Sequence, residues 1–262
     1  LYIFCGEHLL CARLRSSNQD AAAGSAHEVE AIVRRIRRSW PEVRIILRGD
    51  SGFCREQLMK WCEDNRVDYV FGFARNTRLE RLLAPSMEQA RAQQIDTGKT
   101  ACGFATFEYE TTSGSWSQQR RVIGKAEITG DKENPRFIAT SLPAEEWDAQ
   151  ALYENFYCLR GEMENRIKEQ MSLFADRVSA ETIRANQLRV YFAGMAYVLV
   201  SALRRIGLQG TEMARAQATT IRLRLLKIGA QVRISARRVW VQLAESFPLQ
   251  SLFWRVAEQL RC

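Results

Sequence analysis

The spacing of apolar and polar residues predicts a hairpin and one helix at the start of the chain. Short apolar runs at 2–5 and 9–14 are separated by a Gly-Glu pair, a pattern typical of a β-hairpin. After a polar loop, Ser25 and Glu28 have the spacing of a capping box, and apolar residues then recur at helical intervals. Pro41 closes this predicted helix.

Two apolar runs separated by a helical segment come next. The run VRIIL at 43–47 is continuous and rich in β-branched residues, which is typical of a central strand buried on both faces. An amphipathic segment near 54–64 separates it from the apolar run DYVFGFA at 68–74. Strand, helix and strand in this order predict a parallel βαβ unit. Asp50 falls just past the carboxyl end of its first strand.

Over 103–142 the pattern changes to short alternating or apolar runs. The runs are FATFEYETTS, RRVIGKAEIT and RFIATSL, and the turn signals SGS and GDKENP separate them. We expect a small antiparallel sheet here, inserted between α/β elements. The pattern is helical again over 145–172 and 179–206, with Ser179 as the expected N-cap and Gly207 as the stop.

The helix over 145–172 carries two stripes of side chains. An apolar stripe predicts the face toward the core: Leu152, Phe156, Leu159, Met163 and Ile167. A second stripe lies about 100° around the helix, at the border with solvent: Tyr157, Arg160, Glu164 and Lys168. Its carboxylate can bind a cation and its two basic groups can bind phosphate. The same spacing is also typical of ordinary ion pairs on an exposed helix.

The last stretch, TIRLRLLKIGAQVRIS, alternates apolar and basic residues. The alternating positions are Ile221, Arg222, Leu223, Arg224 and Leu225, and a turn at Gly229 leads to Val232 and Ile234. We interpret this segment as a basic β-ribbon, followed by helices after about 237.

Positive charge is concentrated in the same region. Between 201 and 262, eleven Arg and Lys residues stand against three Asp and Glu residues, which accounts for the whole net charge of +8. This imbalance favours a polyanion partner, and nucleic acid rather than a membrane, because no clean amphipathic anchor is visible. The longest apolar run is also shorter than the roughly 20 residues that a spanning helix needs. A solvated basic surface is the alternative.

Cysteine and histidine usage narrows the candidate chemistry. The seven cysteines have no Cys-x-x-Cys spacing and are odd in number, which argues against a disulfide framework and a zinc site. We therefore expect a cytoplasmic location. Only two histidines are present, so hard oxygen ligands from Asp and Glu are the remaining metal ligands.

Asp50 lies in the segment RGDSGF, which admits three interpretations. An adhesion tripeptide is disfavoured because no secretion signal is visible, and a plain turn residue is compatible with the neighbouring glycines. We interpret Gly49 and Gly52 as flexible flanks that let the carboxylate of Asp50 face a metal.

Three segments carry a family resemblance: ILRGDSGFCREQLMKWCEDNRVDYVFGFARN, YCLRGEMENRIKEQ and FADRVSAETIRANQLR. With them, the whole chain resembles the bacterial insertion-sequence transposases of the DDE type, in the family named after insertion sequence thirteen-eighty. The resemblance implies an α/β fold with an RNase H-like catalytic core, an antiparallel β-rich insertion before the helix of the catalytic Glu, and a basic C-terminal region. The implied parts are 1–100 (first part of the core), 101–143 (insertion), 144–206 (helical part of the core) and 207–262 (DNA-binding region).

The resemblance also implies catalytic residues and a cofactor. In such enzymes two Asp and one Glu hold two divalent ions, usually Mg²⁺, with Mn²⁺ as an alternative. The second Asp maps to Asp50 and the Glu to Glu164. The related signature Tyr-x₂-Arg-x₃-Glu-x₆-Lys has its lysine position at Met171, and Lys168 is the candidate to replace it. The implied DNA-binding residues are Tyr157, Arg160, Lys168, Arg222, Arg224, Lys227 and Arg233.

The expected function is Mg²⁺-dependent DNA cleavage and strand transfer during transposition. The partners would be the terminal inverted repeats and target DNA, bound by a homodimer away from any membrane. Only Asp20 precedes Asp50, and it lies in a polar loop. We therefore expect the first catalytic Asp to lie upstream of residue 1 and this chain alone to be inactive. Another RNase H-like nuclease, such as a resolvase, and a non-catalytic DNA-binding transposase remnant are the alternatives.

Overall fold

The computed structural model describes residues 1–111 and 114–260, which form two compact units. The first, which we call the sheet unit, is Ser16–Gly161, and the second, the helical unit, combines Leu1–Arg15 with Glu162–Cys262. The division into four parts that the resemblance implies stays a prediction. Ser113 of the SGS turn signal, and Arg261 of the basic region, lie outside the described residues.

Strands and helices are mixed along the chain. In chain order they are β1 (Tyr2–Cys5), β2 (His8–Ala12), α1 (Ser25–Ser39), β3 (Ile46–Gly49), α2 (Glu56–Asp64), β4 (Asp68–Phe73), α3 (Thr77–Thr97), β5 (Ala101–Tyr109), β6 (Arg120–Thr129), β7 (Lys132–Glu133), β8 (Arg136–Thr140), α4 (Ala149–Ala151), α5 (Gly161–Met171), α6 (Ile183–Ile206), α7 (Ala218–Ile221), β9 (Ala230–Ile234), β10 (Val239–Leu243) and α8 (Gln250–Gln259). A π-helical turn (Leu152–Tyr157) and a 3₁₀ turn (Cys158–Arg160) join α4 to α5, and a second π-helical turn (Arg222–Leu226) follows α7.

A mixed six-stranded sheet forms the centre of the sheet unit, with the order β3-β4-β8-β6-β5 and β7 paired to β6. The strands β3 and β4 pair in parallel across α2, which confirms the predicted βαβ unit. The prediction of a central first strand is wrong, because β3 lies at the end of this order and is largely half-buried. The predicted antiparallel strands are confirmed, but they extend the parallel pair through β8 rather than forming a sheet of their own.

Helices cover both faces of this sheet. On one face, the π-helical turn packs Leu152 and Tyr153 against Val70, Ile123 and Ile138. Side chains alternate between faces along a strand, so the opposite face is the one on which α3 lies over Gly124 of β6. A Cβ atom at Gly124 would lie 2.8 Å from Leu83 of α3. The sequence pattern gave no prediction for α3, which begins after an Asn76 cap and ends at the left-handed Gly98.

A buried guanidinium ties the crossover helix α2 to the sheet. Arg120 of β6 is 4 % exposed, and its donors contact Glu63 at 2.6 and 2.9 Å and Glu56 at 2.6 Å. The hydroxyl of Tyr69 on β4 also donates to Glu63 at 2.8 Å. Both ends of α2 are therefore held by one side chain of β6. The ring of Trp116 covers the guanidinium of Arg120, whose central carbon lies 5.3 Å from the ring centroid.

The helical unit is organised around α6. The predicted hairpin β1–β2 is confirmed, and Tyr197 of α6 donates its hydroxyl hydrogen to the carbonyl of Glu7 in the hairpin turn at 3.0 Å. The side chain of Gln187 bonds the backbone of β2 and the residues after it. Apolar residues of the other helices and their connections complete this core: Leu173, Leu208, Met213, Ile221, Leu225 and Val256.

Three local predictions are wrong, and the first two concern helix starts. The residue before α1 is Gly24, whose cap makes no side-chain hydrogen bond, while the hydroxyl of Ser25 donates to the Ala22 carbonyl. The N-cap of α6 is Thr182, which accepts from the Ala185 N–H, rather than Ser179. Before α6, Ser179 and Thr182 are both suitable caps and lie three residues apart.

The third wrong prediction is the first half of the basic ribbon. Residues Ile221 and Leu225 are both buried, and their spacing of four is helical, so 218–226 forms α7 and a π-helical turn. The second half is confirmed as β9, which pairs with β10, and the helix that follows begins only at Gln250. An alternating run of five residues fits both the two-residue period of a strand and the 3.6-residue period of a helix when positions i and i+4 are apolar.

The predicted apolar stripe of the helix over 145–172 also holds only in part. Leu152 is fully buried, whereas Leu159 is 47 % exposed. The π-helical turn between them adds a residue to the helical period, so positions after it rotate away from the face that regular spacing predicts. No helix among the described residues is long and apolar enough to cross a bilayer.

Substituting Arg120 tests the tie between α2 and the sheet. We expect Arg120→Met to lower the free energy of unfolding of the sheet unit by about 3 kcal/mol, because Glu56 and Glu63 lose their partner while remaining mostly buried. Arg44→Met is the matched control: Arg44 is half-exposed between Asp68 and Glu146, so the loss stays within about 1 kcal/mol. Urea unfolding followed by tryptophan fluorescence measures the free energy of unfolding of both variants. Equal losses in the two variants would contradict the role of Arg120 as the tie between α2 and the sheet.

The same cluster predicts a pH dependence. Burial acts to raise the pKa of Glu63, but hydrogen bonds from Arg120 and Tyr69 outweigh it and hold the pKa below its usual value. A carboxyl group with a lowered folded-state pKa stabilises the fold above its unfolded pKa of about 4.3, and this contribution is lost as the pH falls through the folded pKa. Unfolding at a series of pH values should therefore show a steeper loss of stability below about pH 4.3 for the wild type than for Arg120→Met.

Candidate catalytic and nucleic-acid-binding site

Asp50 stands directly after β3, in a tight turn at the carboxyl end of the strand. Its backbone carbonyl accepts from the Phe53 N–H at 3.1 Å, and its Oδ1 accepts from the Gly52 N–H at 2.9 Å. The residue itself is exposed. The turn therefore holds one carboxylate oxygen against the backbone and leaves the side chain at the surface. A metal ligand at the end of a strand has to be accessible in this way.

The two glycines beside Asp50 serve close packing rather than flexibility. Neither has a positive φ angle, so neither needs the freedom of glycine for its backbone conformation. A Cβ atom at Gly49 would lie 3.1 Å from the Cβ of Phe53, and one at Gly52 would lie 3.0 Å from the Oδ1 of Asp50. Our interpretation of them as flexible flanks is therefore wrong. They are glycines because the turn folds back on itself.

Tyr157 lies against the Asp50 turn at the one glycine of β4. A Cβ atom at Gly72 would lie 2.5 Å from the Tyr157 hydroxyl and 2.9 Å from the backbone nitrogen of Ser51. The missing side chain of Gly72 thus makes room for the phenol beside the residue that follows Asp50. The π-helical turn ends at Tyr157 and presents its ring to this gap.

The electrostatics around Tyr157 link it to both charged neighbours. Burial raises the pKa of Tyr157, the Asp50 carboxylate raises it further, and Arg160 acts in the opposite direction through its charge and a hydrogen bond. The guanidinium of Arg160 lies 5.8 Å from the centroid of the Tyr157 ring. Tyr157 is therefore a neutral hydroxyl at physiological pH, placed between an anion and a cation. The sheet unit brings together Asp50, Tyr157 and Arg160.

Arg48 fixes the π-helical turn to β3. Its Nη1 donates to the backbone carbonyl of Phe156, and its guanidinium lies 5.3 Å from the centroid of the Phe156 ring. The sequence left the role of Arg48 open. In the structure it is a positioning residue, because it connects the strand that ends at Asp50 to the helical turn that presents Tyr157.

Glu164 and Lys168 lie on α5, in the helical unit, and both are exposed. They are one helical turn apart, so they share a face of α5. Asp50 and Glu164 each carry a carboxylate, the hard oxygen donor that Mg²⁺ prefers. The donor type therefore fits a divalent ion. The number of donors does not complete a site, since residues 1–111 and 114–260 contain no group of three or more His, Cys, Asp or Glu side chains suited to one ion.

The predicted DNA-binding residues of the C-terminal region occupy three positions in the helical unit. Arg222 lies in the second π-helical turn, where its guanidinium stacks 4.8 Å from the ring of Phe174. Arg224 and Lys227 are exposed at the end of that turn. Arg233 is exposed on β9, opposite Trp240 of β10.

The hairpin β9–β10 has two different faces. One face carries the pair Ala230 and Leu243 and four exposed β-branched apolar side chains: Val232, Ile234, Val239 and Val241. The other face carries the cross-strand pair Arg233 and Trp240 beside the pair Gln231 and Gln242, and Arg238 lies 6.0 Å from the Trp240 ring. An arginine and an exposed aromatic ring on one face are a combination that binds nucleic acid by charge and stacking.

Two residues of the site were not identified from the sequence. Gly72 stands inside an apolar strand, and a glycine in that position often marks a close backbone approach, so a signal was present. Phe174 has a positive φ of 75° and is 68 % exposed, and no sequence pattern indicates either property.

Gly72→Ala tests the contact between Tyr157 and the Asp50 turn. The added methyl group would collide with the phenol hydroxyl and with the Ser51 nitrogen, so we expect a loss of about 1–3 kcal/mol in the free energy of unfolding. Adding Tyr157→Phe should recover only part of it, because the backbone contact remains. Gly103→Ala on β5 is the control, since its nearest atom lies 4.0 Å away. A Gly72→Ala protein as stable as this control would exclude the close packing.

Comparison with known proteins identifies the family of the chain. The family described as transposase DDE domain, group 1, matches residues 1–262, the whole chain. No curated protein matches the chain. Proteins of this family act on DNA and generally use divalent metal ions. The chain therefore belongs to the DDE-domain transposases.

Proposed function

We propose that the protein is a DDE transposase, of the family named after insertion sequence thirteen-eighty, that cleaves and joins DNA strands with Asp50 and Glu164 as catalytic carboxylates. The observation that carries this proposal is the exposed Asp50 at the carboxyl end of β3, with Tyr157 and Arg160 beside it. A parallel β3–β4 pair extended by antiparallel strands, with helices on both faces, supports an RNase H-like core.

The two carboxylates would act as metal ligands rather than as general bases. Asp50 and Glu164 would hold divalent ions, Mg²⁺ by preference and Mn²⁺ as an alternative, and such ions stabilise the charge on the attacking and leaving oxygens of a phosphodiester. One oxygen of Asp50 is fixed by the Gly52 N–H, which orients the other without a change of rotamer. A preoriented ligand loses little side-chain entropy when it binds.

Tyr157 and Arg160 would position the DNA strand beside this carboxylate. Arg160 offers a planar fork to a phosphate, and the neutral Tyr157 hydroxyl can donate one hydrogen bond. Contacts of this kind set the register of the strand but read no sequence. Lys168 and the basic residues of the C-terminal region would bind further phosphates: Arg222, Arg224, Lys227 and Arg233.

The substrate would be the terminal inverted repeats, followed by target DNA. Joining two transposon ends requires that both ends are held at once, so we infer a homodimer on DNA. The division of the chain at about 101, 144 and 207 into core, insertion, helical core and DNA-binding region belongs to the same proposal. The basic C-terminal region supports the last of these parts.

Asp50→Asn and Glu164→Gln test the site. Each substitution keeps the shape of the side chain and removes a charged ligand, so each should abolish Mg²⁺-dependent cleavage of terminal-repeat DNA by the full-length protein. Binding to the same duplex should change less than about tenfold, because neither carboxylate contacts phosphate directly. Gel analysis of end-labelled DNA and fluorescence anisotropy measure the two effects.

Asp20→Asn is the matched control for this experiment. Its carboxylate pairs with Arg55 at 3.0 Å, outside the proposed ligand set, and cleavage should persist. Undiminished cleavage by either test variant would exclude the assigned carboxylates. Equal cleavage of branched junctions or RNA–DNA hybrids would instead indicate another nuclease of the same fold.

A further inference from the structure

A cleft of about 440 Å³ opens in the helical unit, between α5, the end of α6 and the residues before α7. Basic side chains from each of these segments line it: Lys168, Arg204 and Arg215. We propose that this cleft binds one phosphodiester group of a DNA backbone. The choice of DNA as the source of that phosphate rests on the proposed function.

The charges in the cleft leave one positive charge uncompensated. Arg204 is paired with Glu169 at 2.7 Å, and Arg166 is paired with Glu7 at 2.8 Å. Among the described residues, Lys168 and Arg215 have no ion-pair partner, and Glu162 is the one further carboxylate that lines the cleft. Two unpaired cations beside one carboxylate match a ligand with a single negative charge, and a phosphodiester carries one.

Arg204 is a buried donor that its protein partners do not satisfy. It is 6 % exposed, and its Nε has no hydrogen-bond partner within the described part of the chain. A buried donor without a partner costs about 1–3 kcal/mol, so such groups are rare unless a ligand or water completes them. Arginine presents several donors in a fixed fork, and this geometry suits a phosphate oxygen.

Glu169 holds the floor of the cleft in place. Its Oε1 accepts from Arg204 at 2.7 Å and from the backbone N–H of Ala218 at 2.9 Å, which joins α5, α6 and α7. The hydroxyls of Thr219 and Ser172 form a second link at 2.9 Å. The cations therefore converge on a rigid frame, and the amide groups of Asn165 and Gln217 add neutral donors at the rim.

The position of the cleft relates it to the catalytic helix. Lys168 follows Glu164 by one helical turn, which separates their Cβ atoms by about 6 Å. A phosphate held by Lys168 and Arg215 would thus fix a DNA strand about one turn of α5 away from the proposed metal ligand. Arg204 and Arg215 become phosphate-binding residues that neither the sequence motifs nor the family resemblance identified.

A shared phosphate makes a distinctive prediction for salt dependence. Each phosphate contact contributes about 0.9 to the slope of log affinity against log salt concentration. With a duplex of arbitrary sequence, Arg215→Gln should make this slope less steep by about one, and Lys168→Gln should do the same. Because both side chains bind one phosphate, the double variant should also lose about one rather than two. Fluorescence anisotropy across a salt series, after circular dichroism has verified folding, measures these slopes.

Arg205→Gln is the matched control. Arg205 follows Arg204 on α6 and is exposed outside the cleft, so its loss should leave the slope unchanged. A slope for Arg215→Gln equal to that of this control would overturn the cleft while leaving DNA binding by the protein intact. If the slope of the double variant is less steep by about two, the two side chains make separate surface contacts, and this result would also overturn the proposal.

Two further outcomes separate the possible sources of phosphate. If inorganic phosphate raises the melting temperature of the wild type but not of Arg215→Gln, while duplex binding is the same for both, the cleft takes free phosphate and the DNA proposal is wrong. If the wild type does not bind duplex DNA at all, both this inference and the proposed function fall. Loss of cleavage in Asp50→Asn is independent of either result.

Discussion

The buried ion cluster of Arg120 with Glu56 and Glu63 is the constraint on which the sheet unit depends. The crossover helix α2 begins six residues after Asp50, and both of its ends are held by this one guanidinium from β6. The turn that carries Asp50 is therefore anchored on one side by β3 and on the other by a helix that cannot slide along the sheet. A buried charge that satisfies two carboxylates is costly to break, so the tie also sets a single register.

The second constraint is the absence of a side chain at Gly72. Only a strand without a Cβ atom at that point lets the phenol of Tyr157 reach the backbone beside Asp50. The π-helical turn presents Tyr157, and Arg48 holds that turn to β3 through the Phe156 carbonyl. An irregular helical turn is thus fixed by a side-chain donor from the strand that ends in the site, and π-helical turns occur often at functional sites.

The sequence could predict those features whose signal is local. The hairpin, the βαβ unit and the position of Asp50 follow from apolar runs and turn residues that lie next to one another. It could not predict the exposure of Leu159, because one π-helical turn shifts the helical phase and leaves no mark in composition. Ile221 and Leu225 fit both a strand and a helix, and tertiary burial decided between them. The resemblance identified Tyr157 and Arg160, whereas the glycine inside β4 indicates a close approach without saying that its neighbours are Tyr157 and Ser51.

Net charge alone is a poor guide to where this protein would hold DNA. The excess of basic residues in the C-terminal region includes Arg204, which Glu169 of α5 neutralises, while Arg120 and Arg121 in the sheet unit are buried on carboxylates and backbone carbonyls. Arg120 and Arg121 stabilise the fold and offer little charge to a partner, whereas Arg204 offers the proposed cleft a hydrogen-bond donor rather than a net charge. Exposed cations without a carboxylate partner are what attract a phosphate, because their field is not cancelled at short range. Lys168 and Arg215 meet that condition on a rigid frame, so pairing rather than summed charge defines the expected DNA-binding surface.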